Sequence, residues 1–157
     1  MKEPERIIRR SVIDRLTQTG EPEPRTWSES VRLLKRAVLR DVEWLLNTRR
    51  IADPAGDEFP ELQQSVYHYG LPDVTSMSAD SAAARRQLVR QVEQCLQQFE
   101  PRLTSIRVTE AAAQGETTRS LRFVVEGLLR MHPEPEPIAF DTVLDSGSGR
   151  FNVTGSD

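Results

Sequence analysis

Apolar residues recur at steps of three and four through the first hundred positions, and at steps of two through much of the remainder. Ile8, Val12 and Leu16 are spaced by four, which predicts a short helix over residues 4–16 with one apolar stripe. Pro4 falls in its first turn, where a missing N–H costs little. Gly20, Pro22 and Pro24 make residues 17–25 a loop. Thr26 followed by Glu29 has the spacing of a capping box. Val31, Leu34, Val38, Val42 and Leu45 then predict a helix with one buried face, running to about Thr48. Arg32, Arg36 and Arg40 form a basic stripe on another face, in a row that Trp44 completes. After a polar loop containing Pro54, Gly56 and Pro60, a short helix is expected over residues 61–69, ended by Gly70 and Pro72. A serine-rich connector over residues 75–81 leads into a helix from about Asp80 to Phe99. Its inner face is Leu88, Val92, Leu96 and Phe99, with Cys95 beside it. Pro101 ends this helix at Glu100, because proline pushes the residue before it out of the α region.

Beyond Pro101 the period becomes two. Ile106 and Val108 alternate with Ser105, Arg107 and Thr109; Leu121, Phe123 and Val125 with Arg122, Val124 and Glu126; Ile138, Phe140 and Thr142 with Ala139, Asp141 and Val143. Phe151 and Val153 make a last short strand after the turn-rich DSGSG of residues 145–149. Helices first and strands afterwards predict an α+β fold, with N-terminal helices packed on a C-terminal antiparallel sheet of about four strands. One of the later strands, residues 138–144 or residues 151–153, is expected at the sheet's outer edge, open to an added strand.

A length of 157 residues suits one domain, residues 1–157, with about 4–154 ordered and 155–157 a tail. Apolar residues at 37% and charged residues at 29% fit a soluble globular protein. MKEPERIIRR at the start lacks the apolar core of a secretory signal. Cys95, the single cysteine, has no internal disulfide partner, which places the chain in a reducing compartment, the cytoplasm. The net charge of −3 is unevenly spread: residues 25–50 hold seven basic against three acidic side chains. Such polarity suits docking between partners of different charge, and equally suits a solvated helix face. Arginine supplies 19 of the 21 basic residues, and its planar fork pairs bidentately with carboxylates.

Chemistry is sparse. No glycine-rich phosphate loop occurs, and His68 and His132 stand 64 residues apart, neither at metal-site spacing from another histidine or from Cys95. His68, between two tyrosines, reads as packing or surface, and His132 beside Pro133 as a loop residue. Glycosidase chemistry needs only two carboxylates at a set separation. Asp41, Glu43 and Glu100 lie nearest apolar surroundings, yet any chain with 24 acidic residues offers such pairs. A nucleic-acid surface on the arginine stripe conflicts with the negative net charge and lacks interleaved aromatic residues. No metal, cofactor or small-molecule ligand is expected.

Two segments present polar groups on stiffened backbone. In Phe99-Glu100-Pro101-Arg102-Leu103 the proline stiffens a helix-to-strand junction. In extended backbone Glu100 and Arg102 project together, either to dock a partner bidentately or to tie helix to strand as an internal ion pair. An exposed pair of that kind is worth only about 0–1 kcal/mol. On that basis Arg102→Ala is expected to stay folded. Tyr69-Gly70-Leu71-Pro72-Asp73 reads as a helix stop and turn that presents a tyrosine and an aspartate.

These segments occur in one order: RRSVIDRL, LRDVEWLLNTRR, YGLPD, FEPRL and LRFVVEGLL. Over residues 10–153 the chain resembles the "lysozyme-like" family that comprises the phage baseplate wedge protein and its type VI secretion counterpart. FEPRL and the WLLNTR helix end are the specific parts of the likeness. The resemblance implies a structural subunit, not an enzyme, in the wedges of a six-fold baseplate. Its partners would be the other wedge subunits and the contractile sheath proteins, with no nucleic acid, and with the inner membrane met only through the secretion machine. It also implies that Glu100, Pro101 and Arg102 hold the subunit in the wedge, and that the "lysozyme" label is inherited rather than descriptive. The alternative reading from the label is a peptidoglycan hydrolase.

Overall fold

A computed structural model describes residues 8, 10–17, 23–52, 58–75, 77, 81–111 and 120–155. Helices α1 (Val12–Thr17), α2 (Trp27–Asn47), α3 (Pro60–Gln63) and α4 (Ala82–Phe99) precede strands β1 (Leu103–Ala111), β2 (Ser120–Leu129), β3 (Glu136–Asp145) and β4 (Arg150–Gly155). The chain is therefore α+β, helices first and sheet last. It forms two compact units, residues 1–38 and residues 39–157.

In the first unit Ser11 starts α1. Its Oγ accepts from the Asp14 N–H at 3.1 Å and donates to Asp14 Oδ2 at 2.8 Å. The helix thus begins at Val12, later than the four-step pattern predicts, and Ile8 lies outside it; residues 4–7 and 9 lie outside the described residues. The expected apolar stripe is also not the buried side. Val12 and Leu16 are 69% and 73% exposed, while Asp14, tied to Ser11 through both its side chain and its backbone N–H, is the buried residue. The start of α2 follows its capping box: Glu29 N–H donates to Thr26 Oγ1 at 3.2 Å, and Glu29 Oε2 accepts from Thr26 N–H at 3.3 Å and Arg25 N–H at 2.8 Å. These backbone donors hold the Glu29 carboxyl below the usual range, Arg25 N–H contributing most.

In the second unit α4 begins at Ser81, whose Oγ accepts from Ala84 N–H at 3.3 Å, and buries Leu88, Val92, Cys95 and Leu96, packing against β1. The sheet runs in the order β1-β2-β3-β4, every pair antiparallel. Phe123, Val125, Leu129, Phe140 and Leu144 fill its covered face. Residues 138–144 are therefore interior, flanked by β2 and β4; the outer strands are β1 and β4. Alternation shows which side of a strand is apolar but not which strands are neighbours.

Two local departures have plain causes. Residues 61–69 do not form one helix: α3 stops at Gln63 and a separate 3-10 turn, Val66–His68, begins where Ser65 Oγ accepts from Tyr67 N–H at 3.2 Å. Serine there competes with helix continuation by bonding its own neighbours. In β1 the register slips between Thr104 and Arg107, with Ser105 at φ 52°. This bulge switches the phase, so Leu103 before it and Ile106 and Val108 after it are all buried. Gly127 sits opposite, where a Cβ would lie 3.2 Å from Thr104 O.

Candidate functional site

Glu100, Pro101 and Arg102 form the corner between α4 and β1. Glu100 N–H closes the helix on Leu96 O at 3.0 Å, and Leu103 N–H returns to Glu100 O at 3.1 Å. The corner is therefore a β-turn with Pro101 at its second position, where its fixed φ belongs, and not the extended segment expected. Glu100 and Arg102 still come together, because the turn folds one back on the other. Arg102 Nε donates to Glu100 Oε1 at 2.6 Å, and Nη2 to Oε2 at 2.5 Å, a bidentate pair. Arg102 N–H adds a third bond to Oε1 at 3.2 Å.

Burial separates the two partners. Glu100 is 4% exposed, whereas the Arg102 side chain keeps 31% of its surface in solvent. The Arg102 Nη2 also donates to Asp41 Oδ2, on α2, at 2.8 Å. Asp41 Oδ1 in turn accepts from Arg40 Nε at 3.0 Å and Nη2 at 2.8 Å, and the Arg40 guanidinium lies 4.9 Å from the ring centre of Trp44. The Glu100 carboxylate, by hydrogen bonding, is the main reason the Arg102 guanidinium is held still more firmly protonated than usual, against the opposing cost of its own burial. Two acids and two bases thus form one continuous chain from a buried carboxylate out to Trp44, which is 57% exposed.

Of the sequence-predicted carboxylates, Asp41 and Glu100 meet at one guanidinium, which occupies oxygens of both. Glu43 is not in that cluster; its backbone carbonyl accepts from Asn47 Nδ2 at 2.8 Å. Arg32 and Arg36 are exposed. His68 is buried, its ring edge-on to Tyr67 at 5.5 Å, with Nε2 lacking a partner among the described residues. His132 is exposed in the β2–β3 connection. No group of three His, Cys, Asp or Glu among the described residues could hold a metal, and no described helix is long and apolar enough to cross a membrane.

The tyrosine–glycine–leucine segment is bolted to the end of α2. Leu71 N–H donates to Thr48 O at 2.9 Å and Arg50 N–H to Leu71 O at 2.8 Å, a short parallel bridge. Gly70 adopts φ +99° with its α-carbon pressed on Thr48: a Cβ there would lie 2.2 Å from Thr48 O. Gly70 O accepts from the Cys95 thiol at 3.5 Å, and Tyr69 lies edge-on to Phe99 at 5.4 Å. Desolvation pushes the Cys95 thiol up to about 11 and also raises Tyr69. Asp73 turns its carboxylate onto Thr75, N–H at 3.0 Å and hydroxyl at 2.7 Å, and the backbone N–H bond leads in holding that carboxyl below the usual range.

At the sheet's two edges, helix side chains reach the outer backbone. Glu93 of α4 accepts from Val108 N–H of β1 at 3.0 Å, and Arg85 meets Glu110 at 2.8 Å. Asn47 of α2 takes both groups of Phe151 on β4: Phe151 N–H to Oδ1 at 2.9 Å and Nδ2 to Phe151 O at 2.8 Å. Asp41, Arg40, Trp44 and Asn47 were not legible as one site with FEPRL and the β4 edge. The only signal was helical spacing, which sets Asp41 and Trp44 on neighbouring turns without saying what they face.

The family model described as Baseplate wedge protein gp25 matches residues 32–134, a span that holds most of α2, the Gly70 segment and the Glu100 corner. A solved structure titled "The baseplate complex from the type VI secretion system" contains a chain similar to this one. It has 19% identity over 71% of this chain and 94% of that chain, at a TM-score of 0.48. No curated protein matches.

Proposed function

The chain belongs to the baseplate wedge protein gp25 family, and from that premise we propose that it is a non-enzymatic structural subunit of a type VI secretion system baseplate. It joins the wedge complex and helps to initiate assembly of the inner tube and the contractile sheath. It works on the cytoplasmic side, in a baseplate docked at the inner membrane, and needs no cofactor. The observation that carries the reading is the Glu100–Pro101–Arg102 corner: a turn presents a half-exposed guanidinium whose charge is anchored by a buried carboxylate. Such a fork is pre-organised, so little side-chain entropy is lost when a wedge partner meets it. Hydrolysis by the two best-placed carboxylates is disfavoured because the oxygens of Glu100 are engaged by Arg102 and those of Asp41 by Arg102 and Arg40.

The wedge role is tested by the double variant Glu100→Met/Arg102→Met. Replacing both charges with side chains of similar volume avoids stranding a buried carboxylate and is often nearly neutral for folding. The variant is expected to melt close to wild type yet fail to co-purify with the other wedge subunits. A folded double variant that joins the wedge normally would end the docking role of this corner.

The sheath role we assign to β4. Of the two segments expected at an edge, residues 138–144 are interior and β4 is an outer strand, and an unpaired strand edge is a template for strand addition. Proline at Val153 removes one outward donor at modest cost to folding. Sheaths that assemble at normal frequency on the Val153→Pro variant would exclude this edge.

A further inference from the structure

The β4 edge is not open along its whole length. Phe151 directs both its N–H and its C=O to the Asn47 carboxamide, so these groups point away from β3. The strand period of two then turns the same groups of Val153 and Gly155 outward as well, while Arg150, Asn152 and Thr154 face β3. The Asn47 side chain supplies one acceptor and one donor to one residue, which is what a rung of an added strand would supply. It therefore stands where that strand's backbone would lie.

The position of α2 makes this a boundary. A Cβ at Gly155 would lie 3.2 Å from Leu39 Cδ1, and Asn47 meets Phe151. Eight helical residues span about 12 Å and four strand residues about 13 Å, so the last turns of α2 run alongside β4 in the opposite direction. At the Leu39 end the helix approaches through a side chain. At the Asn47 end it approaches with hydrogen-bonding groups wrapped over the strand edge.

We infer that Asn47 is a positioning residue for strand addition: it holds the Phe151 rung, so that a partner's extended strand pairs from Val153 toward the C-terminus and must end or turn away before Phe151. This inference rests on the proposal that a sheath strand adds to β4, and it deepens that proposal by setting the register. The partner is recognised through its backbone, and its register is chosen by a side chain of the acceptor rather than by its own sequence.

The test is amide hydrogen exchange on the full chain, read residue by residue, alone and with purified sheath subunit. In the free protein the Phe151 amide should exchange at least about fivefold more slowly than that of Val153, the effect of one added hydrogen bond. Sheath subunit should then protect Val153 and Gly155 and leave Phe151 at its free rate. In Asn47→Ala, Phe151 should lose its protection when free and gain protection from the sheath subunit, as the added strand extends by one rung. Sheath-induced change at Phe151 in the wild type overturns the inference and leaves the edge reading intact. So does an Asn47→Ala pattern identical to wild type. Absence of any sheath-induced protection on β4 overturns the edge reading and this inference with it. The wild-type measurements decide the matter even where Asn47→Ala does not fold.

Discussion

Glu100 and Arg102 lie two positions apart, and what the pair is worth depends on burial that the spacing does not reveal. Regarded as exposed, the pair contributes little, and truncating Arg102 is harmless to folding. With Glu100 at 4% exposure, Arg102→Ala removes both fork bonds to a buried carboxylate and leaves it the bond from the backbone N–H of residue 102. Half-exposure of the guanidinium reduces the usual cost of breaking a buried pair, and the expected loss is about 2–4 kcal/mol. That corresponds to a fall in melting temperature of roughly 4–16 °C in a domain of this size, readable by circular dichroism. A melting temperature within a degree or two of wild type would show that water reaches Glu100. Thr142 presents the converse case. It sits at the sheet centre between Phe123 and Val153, fully buried, with no partner for its hydroxyl among the described residues. Thr142→Val keeps the shape and removes the unmet polar group, and is expected to raise stability by about 1 kcal/mol in chemical denaturation.

Elements were legible in proportion to the length of their pattern. The two long helices and four strands follow from period alone, because each buries one face and repeats its signal several times. The short pieces do not: α1 turns its apolar row outward, and residues 61–69 divide at Ser65. Strand order was illegible for a different reason, since neighbours are chosen by contacts far apart in sequence. The same holds for the joint between α2 and the Gly70 segment. Gly70 read as a helix stop, but the 3-10 turn has already ended at Tyr69, and the role of Gly70 is to let Leu71 pair with Thr48 and Arg50. Gly70→Ala would place a methyl group 2.2 Å from a backbone oxygen at φ +99°. Neither atom belongs to a flexible side chain, so the segment must detach from α2 or carry the strain. The expected cost is about 3 kcal/mol or more, seen as a lower denaturant midpoint. Loss of protection at the Leu71 and Arg50 amides would locate it.

For the chain as a whole, stability is expected to vary with pH on the alkaline side more than its composition implies. A single cysteine says little, but the structure buries it beneath the Gly70 segment, where desolvation outweighs the bond to Gly70 O and lifts the thiol to about 11. An unfolded cysteine ionises near pH 8.5. The folded state thus favours the protonated thiol, and that contribution is fully present below about pH 8.5 and is lost as pH rises toward 11. Tyr69, raised chiefly by desolvation at the same joint, adds loss in the same direction above about pH 10. Melting temperature should accordingly hold level through neutral pH and fall from about pH 9 upward. Cys95→Ala should abolish part of that fall while costing some packing at every pH, so its curve runs lower but flatter than wild type. Parallel curves for the two proteins would mean that the alkaline loss arises elsewhere and that the thiol is not desolvated in solution. Because Tyr69 of this joint lies edge-on to Phe99, the residue before Glu100, the same titration followed by wedge co-purification asks whether opening this joint releases the docking surface before the chain unfolds.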